Sequence, residues 1–230
     1  MKVLIYSFIL ILIVSCGQGN ERKLNEPQVK NHIETTKVRL VKSMIPKDYD
    51  ELTESPSNGR KMKRLIFDFD LDNKSDTALI AVNQNDFTKC LLIVSLSSNG
   101  KTHQLKLRNN PPYHSFPVQL TAKNDVLQVG YFKDGTSNEG RFLKWKYNKN
   151  AKDFRLIGYD SGYCIGTSDY CSKSYQLISG DYTVKLQKSL PTEHVETFSG
   201  IFKLDPIYMK DFNLTVLNRL DQVGNEFEFN

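Results

Sequence analysis

The sequence predicts a mainly β protein, an antiparallel meander that closes as a sandwich-like or partial-barrel domain, with one short N-terminal helix. Three observations carry this reading. Apolar and polar residues alternate with a period of two, most cleanly over residues 141–147, where Leu143, Trp145 and Tyr147 share one face and Phe142, Lys144 and Lys146 the other. Gly, Asn and Asp clusters punctuate the chain at short intervals, as turns between strands do. Aromatic residues make up 11%, weighted to Phe and Tyr, which suit a pleated surface, and no segment keeps a long 3.6-residue period.

The elements follow in order across residues 45–230, read as a single domain. Pro46 suits a first helical position, and Asp48, Asp50 and Glu51 favour the first turns of a short helix. Ser55-Pro56-Ser57-Asn58-Gly59 stops it. Two apolar runs, Leu65-Ile66-Phe67 and residues 78–82, read as strands flanking an acidic stretch. Residues 89–96 are almost continuously apolar, the mark of a central strand buried on both faces. Asn99-Gly100 signals a type I′ hairpin into a strand at 102–107. Asn109-Asn110-Pro111-Pro112 breaks the chain and marks a boundary between two subregions. Further strands are expected at 126–132, 141–147, 154–159, 175–177, 182–186, 199–204 and 211–217.

The acidic stretch, D-F-D-L-D-N-K-S-D over residues 68–76, is the chemically distinctive part. Asp68, Asp70, Asp72 and Asp76 stand at relative positions 1, 3, 5 and 9. Two like charges about 5 Å apart repel by roughly 3 kcal/mol at an effective dielectric near 20. Four of them beside buried strands call for a compensating cation, and calcium accepts six to eight hard oxygen ligands in a flexible shell. The loop has the first half of an EF-hand, but position 12 is Leu79 and position 6 is Asn73, a residue that tolerates the positive φ of a sharp turn. The spacing is similar to the D-x-D-x-D-x-x-x-D calcium loop of the FG-GAP, or integrin-type, repeat family, where the loop joins two strands. That resemblance covers about twenty residues, and by it Asp68, Asp70, Asp72 and Asp76 would be the side-chain ligands of a structural Ca2+. Propellers of that family repeat the loop; this chain carries one copy.

The N-terminus carries a second signal. Met1-Lys2 is followed by an apolar run over residues 3–14, too short to span a bilayer and suited to a secretory signal. Ile13-Val14-Ser15-Cys16 resembles the lipobox of bacterial lipoproteins. By that resemblance residues 1–15 are removed, Cys16 carries the lipid, and several acyl chains at about 0.8 kcal/mol per buried methylene hold the protein to the membrane. Residues 16–44 are polar and aperiodic, a tether. Gly17, where an Asp would retain the protein at the inner membrane, resembles lipoproteins sent to the outer membrane. The layout as a whole, with W-K-Y-N-K-N-A-K-D-F-R-L-I-G-Y at 145–159, resembles small lipoproteins of Bacteroidetes-type bacteria, a likeness that brings no activity with it.

Composition limits the functions further. A net charge of +5 is mild, so nucleic acid is not an expected partner. Arg141, Lys144, Lys146, Lys149, Lys152 and Arg155 form a basic cluster that reads as the solvated face of a strand pair. Cys164 and Cys171 stand seven apart in a Gly/Ser/Asp-rich stretch. A disulfide there would close a short loop worth about 2.5 kcal/mol in the chain-entropy model, the alternatives being two thiols or a metal pair. Cys90 lies in the buried strand as a small core residue. Gly162-Tyr163-Cys164-Ile165-Gly166 has the form of a nucleophile elbow without the helix the elbow needs. His32, His103, His114 and His194 show no ligand spacing. The expectation is a non-enzymatic, calcium-stabilised β protein, lipid-anchored in the bacterial envelope and engaging a protein or glycan partner. The alternative is an envelope glycan-processing or hydrolytic accessory enzyme.

Overall fold

The computed structural model describes residues 44–227, apart from 55–58, 60, 109–114, 134–138, 167–168 and 189–193. The predicted signal segment, Cys16 and the tether lie outside the described residues. The chain divides into two units, Met1–Val38 and Arg39–Asn230, and everything below belongs to the second.

The described chain is mainly β, in two antiparallel sheets. The first contains β1 (Tyr49–Glu51), β2 (Leu65–Phe67), β3 (Asp76–Asn83), β4 (Lys89–Ser95) and β5 (Thr102–Arg108). β3 is the hub: β4 runs along one side, while β1 and β2 share the other, β1 against Ala81–Asn83 and β2 against Asp76–Ala78. The second sheet is an uninterrupted meander, in sequence order, of β6 (Ser115–Lys123), β7 (Val126–Lys133), β8 (Gly140–Asn148), β9 (Asp153–Ile165), β10 (Asp169–Gln176), β11 (Asp181–Lys188) and β12 (His194–Ile201). The chain passes from one sheet to the other between β5 and β6, where the Asn-Pro break stands.

Alternation explains the packing. Ala78, Ile80 and Val82 of β3 and Cys90, Leu92 and Val94 of β4 join Leu127, Val129, Leu143, Trp145, Leu156 and Tyr159 of the second sheet in one core. The intervening residues Leu79, Ala81, Leu91 and Ile93 face the other way, under Met44, Ile45 and Tyr49. β4 is therefore buried on both faces, as its continuous apolar run predicts. A third cluster, Cys171, Val184 and Leu186, packs with Tyr163, Phe198 and Phe227.

Several elements differ from the sequence reading. The short helix expected from Pro46 is absent among the described residues, and Tyr49–Glu51 is strand β1. Three residues paired to β3, with Tyr49 packed against its outer face, outweigh the weak N-terminal helix signals of a stretch too short to nucleate. Residues 160–174, where the sequence suggests no strand, extend β9 and build most of β10. Ser and Gly depress strand propensity there, but a full cross-strand ladder carries them. β6 was hidden by Pro117, which sits on an edge strand at a register shift, where its missing N–H costs nothing. Of residues 199–204, expected as a strand, 199–201 form the end of β12, which begins earlier, at His194, and 202–204 lie beyond it. Residues 211–217, expected as a strand, form a 3-10 turn (Met209–Asp211) and helix α1 (Leu214–Gln222). Asn213 caps α1 by accepting from the Val216 amide, and Val216, Leu217, Leu220 and Val223 recur at helical spacing over the core. The Asn99-Gly100 turn is longer than a two-residue hairpin: Leu96 N–H donates to Lys101 C=O, and Gly100, at φ 66°, donates back to Leu96 C=O.

Candidate metal centre

The acidic loop connects β2 to β3, and Phe67 pairs directly with Asp76 across its base. Phe69 anchors it from within: the ring is 1% exposed and lies edge-on to Phe154 at 6.0 Å. With that residue drawn into the core, the chain must double back in few steps. Leu71 and Asn73 do so at φ 58° and 65°, the left-handed conformation that Asn tolerates and Leu adopts only under constraint.

Each carboxylate then has a distinct task. Asp68 accepts from the amides of Asp72 (3.1 Å) and Asn73 (2.8 Å), winding the loop. Asp76 accepts from Phe69 N–H on one oxygen and from Ser97 N–H on the other, both at 2.8 Å. Asp70 accepts from the Ser98 hydroxyl at 2.6 Å, and its other oxygen, Oδ1, is buried with no hydrogen-bond partner. Asp70 is 6% exposed and Asp76 1%. Asp68, Asp70 and Asp76 each bring an oxygen within 4.8 Å of the others. Ligand oxygens on opposite sides of a calcium ion stand about 4.8 Å apart, twice a Ca–O distance near 2.4 Å, so this spacing fits that shell.

Asp72, the fourth predicted ligand, is not part of the group. Its carboxylate accepts from the Lys74 amide at 2.8 Å and faces the Lys74 ammonium at 3.8 Å. The alternating spacing that brings Asp68 and Asp70 together fails one step later, because the turn at Asn73 directs Asp72 back along its own backbone. Ser98 is a contributor that loop spacing could not reveal, since it comes from the β4–β5 turn.

The electrostatics agree with a cation-shaped space. Burial pushes the Asp76 carboxyl above its ordinary value, and the neighbouring Asp70 charge adds to this against the two amide bonds. The Tyr147 hydroxyl is raised too, by burial first and then by the charges of Asp70, Asp153 and Asp76. A cation among the three carboxylates would offset the part of each that comes from neighbouring carboxylate charge.

Next to this region lies a second buried polar pair. His103 Nδ1 and Asp153 Oδ1 are 3.0 Å apart, and both residues are buried. His103 Nε2 and Asp153 Oδ2 have no hydrogen-bond partner. The two residues are fifty apart in sequence, and only the facing of β5 on the second sheet joins them. Burial lowers the His103 pKa, the Asp153 contact opposes this, and Lys101 lowers it further. Below the solution value near 6.5, the unfolded chain therefore takes up a proton that the folded one resists. Stability is expected to fall as pH drops from 6.5, by at most about 1.4 kcal/mol per pH unit, until the depressed folded value is reached. Urea unfolding at pH 7.5 and 5.5 measures it, and His103→Phe should remove that component of the slope.

Three members of the basic cluster are paired to acids: Lys144 with Asp160, Lys146 with Asp125 at 3.0 Å, and Arg141 with Asp221 at 2.7 Å. Cys164 and Cys171 are not bridged. Cys171 stands opposite Tyr163 and Cys164 opposite Tyr170, which places the two sulfurs on opposite faces of the β9–β10 ladder, one buried and one exposed. A disulfide needs facing Cβ atoms about 3.8 Å apart. The same ladder removes the elbow at 162–166, since Cys164 lies within a regular strand. Cys90 is a core residue whose thiol is pushed up to about 12, by burial and then by Asp86.

Comparison with family models, with curated proteins and with solved structures yields no match.

Proposed function

We propose that this chain is a non-enzymatic, lipid-anchored protein of the bacterial envelope, held at the outer membrane through Cys16. Its two sheets act as a sandwich-like domain that a calcium ion locks at Asp68, Asp70 and Asp76 and that engages an extracellular or periplasmic partner. The observation that carries the calcium reading is the buried, unpartnered Asp70 oxygen within a triad of converging carboxylates. An unsatisfied buried charge is costly, and a bound cation is the simplest compensation the residues offer. The Ser98 hydroxyl, bonded to Asp70, is a further oxygen of the hard type calcium prefers. The lipobox, read from residues 13–16, supports the anchor.

Titration calorimetry of the full-length protein should find one calcium per chain with a Kd of about 10⁻⁴–10⁻³ M, the range of extracellular modules. Asp70→Asn should abolish that heat. No heat at several millimolar calcium would reject the site. Incorporation of labelled palmitate that Cys16→Ser prevents is the matching test of the anchor.

A further inference from the structure

The face of the second sheet that points away from the shared core carries a trough across β8, β9, β10 and β11, of about 500 Å³. Its floor is set by register. Gly140 pairs with Gly162, and Gly162 with Ser172, so three neighbouring strands present almost no side chain along one row. Phe142 and Tyr170 line the trough on either side of that row. The adjoining row runs Phe142, Asp160, Ser174 and Thr183, and thus places a carboxylate and two hydroxyls beside an aromatic ring. Asp160 is already oriented, with Ser174 donating to it at 2.8 Å and Lys144 paired to it. Lys185 closes the end at β11.

We infer that this trough binds a short oligosaccharide, a di- or trisaccharide segment of an envelope or extracellular glycan. The inference names the partner of the exported domain and rests on the partner-binding reading above. The chemistry matches a sugar ring on each side. Pyranose C–H faces pack on aromatic rings, and ring hydroxyls are met by carboxylate, hydroxyl and ammonium groups held in fixed rows. A floor of two glycines and a serine lets a flat ring approach the sheet. The volume falls within the range of small-molecule sites. A protein partner fits less well, because none of the large exposed apolar side chains among the described residues, Ile178, Val195, Ile201 and Phe202 included, lines the trough. A polyanion fits poorly too, since Asp160 occupies the middle and Lys144 is committed to it. Among the described residues one carboxylate, Asp160, lines the trough, and the role inferred for the site is binding.

Saturation-transfer NMR on the full-length protein, with the neutral trisaccharides cellotriose, chitotriose and mannotriose as probes, tests this. At least one probe should receive saturation. Tyr170→Ala and Ser172→Trp, the first removing a wall and the second filling the floor, should each weaken that binding by about tenfold or more. The melting temperature of Ser172→Trp reports that the fold is kept, and that variant decides the matter if Tyr170→Ala unfolds. Binding should persist in EDTA, because the acidic loop belongs to the other sheet, so loss of the calcium reading would leave this result standing. Saturation of no probe, or equal binding by wild type and a folded Ser172→Trp, would overturn the proposal.

Discussion

Asp76→Ala is expected to destabilise the domain by about 2–5 kcal/mol and to erase its stabilisation by calcium. The first part follows from hydrogen bonds. Both carboxylate oxygens accept backbone amides, Phe69 N–H in the buried loop and Ser97 N–H in the turn beyond β4. Alanine leaves both donors without partners, and each buried unsatisfied group costs about 1–3 kcal/mol. The second part follows from linkage. A ligand at ten times its Kd stabilises the folded state by about 1.4 kcal/mol, and a chain that has lost a ligand oxygen forfeits that gain. The Asp76 carboxyl is itself strained by burial and by Asp70, so its removal brings some relief when calcium is absent. The loss should therefore be larger in millimolar calcium than in EDTA. Urea unfolding under both conditions gives the comparison, and equal losses would show that no ion is held there.

Asp221→Ala is the second large effect, at about 2–3 kcal/mol. Asp221 lies on α1 and binds Arg141 through both oxygens at 2.7–3.2 Å, while the Tyr159 hydroxyl donates to it. Lys173 reaches the main-chain oxygen of the same residue and the side chain of Asn225. Burial would lower the Arg141 pKa, but Asp221 and Tyr159 hold it above its usual value. The Tyr159 hydroxyl is raised well above its own, by burial and then by Asp221. Removing the carboxylate strands an arginine and a tyrosine. A fully buried pair would cost about 3–5 kcal/mol to break, and the side chains here keep 28% and 27% exposure, which places the effect lower. Loss of α1 docking should also expose residues 214–227 to limited proteolysis. An unchanged unfolding midpoint with unchanged proteolysis would refute this role.

Strand patterning was legible wherever one face is apolar. The alternation of Leu143, Trp145 and Tyr147 and the continuous run of β4 state their burial directly. It was illegible where a polar residue interrupts the buried face, as in β10, where Lys173 stands between Cys171 and Tyr175 and is paired to the C-terminal segment. The disulfide expectation failed for the same reason, since sequence separation says nothing about which face a sulfur takes. The helical period of α1 was present but too short to stand above the strand signals around it. Three of the four loop carboxylates converge as their spacing suggests, because Asp68, Asp70 and Asp76 are set by the turn itself. Asp72 and Ser98 depended on a backbone reversal and on a distant turn, neither of which has a local signature.

The grip of Asp70 and Asp76 on Ser98 and Ser97 spans 28 and 21 residues of chain. The three carboxylates come from one loop, but the orientation of Asp70 and Asp76 is fixed by a turn that reaches them only after the β3–β4–β5 ladder has closed, so a nascent or opened chain holds the same groups less firmly. Ion occupancy should then slow the rate at which the domain opens while leaving the rate of its formation nearly untouched.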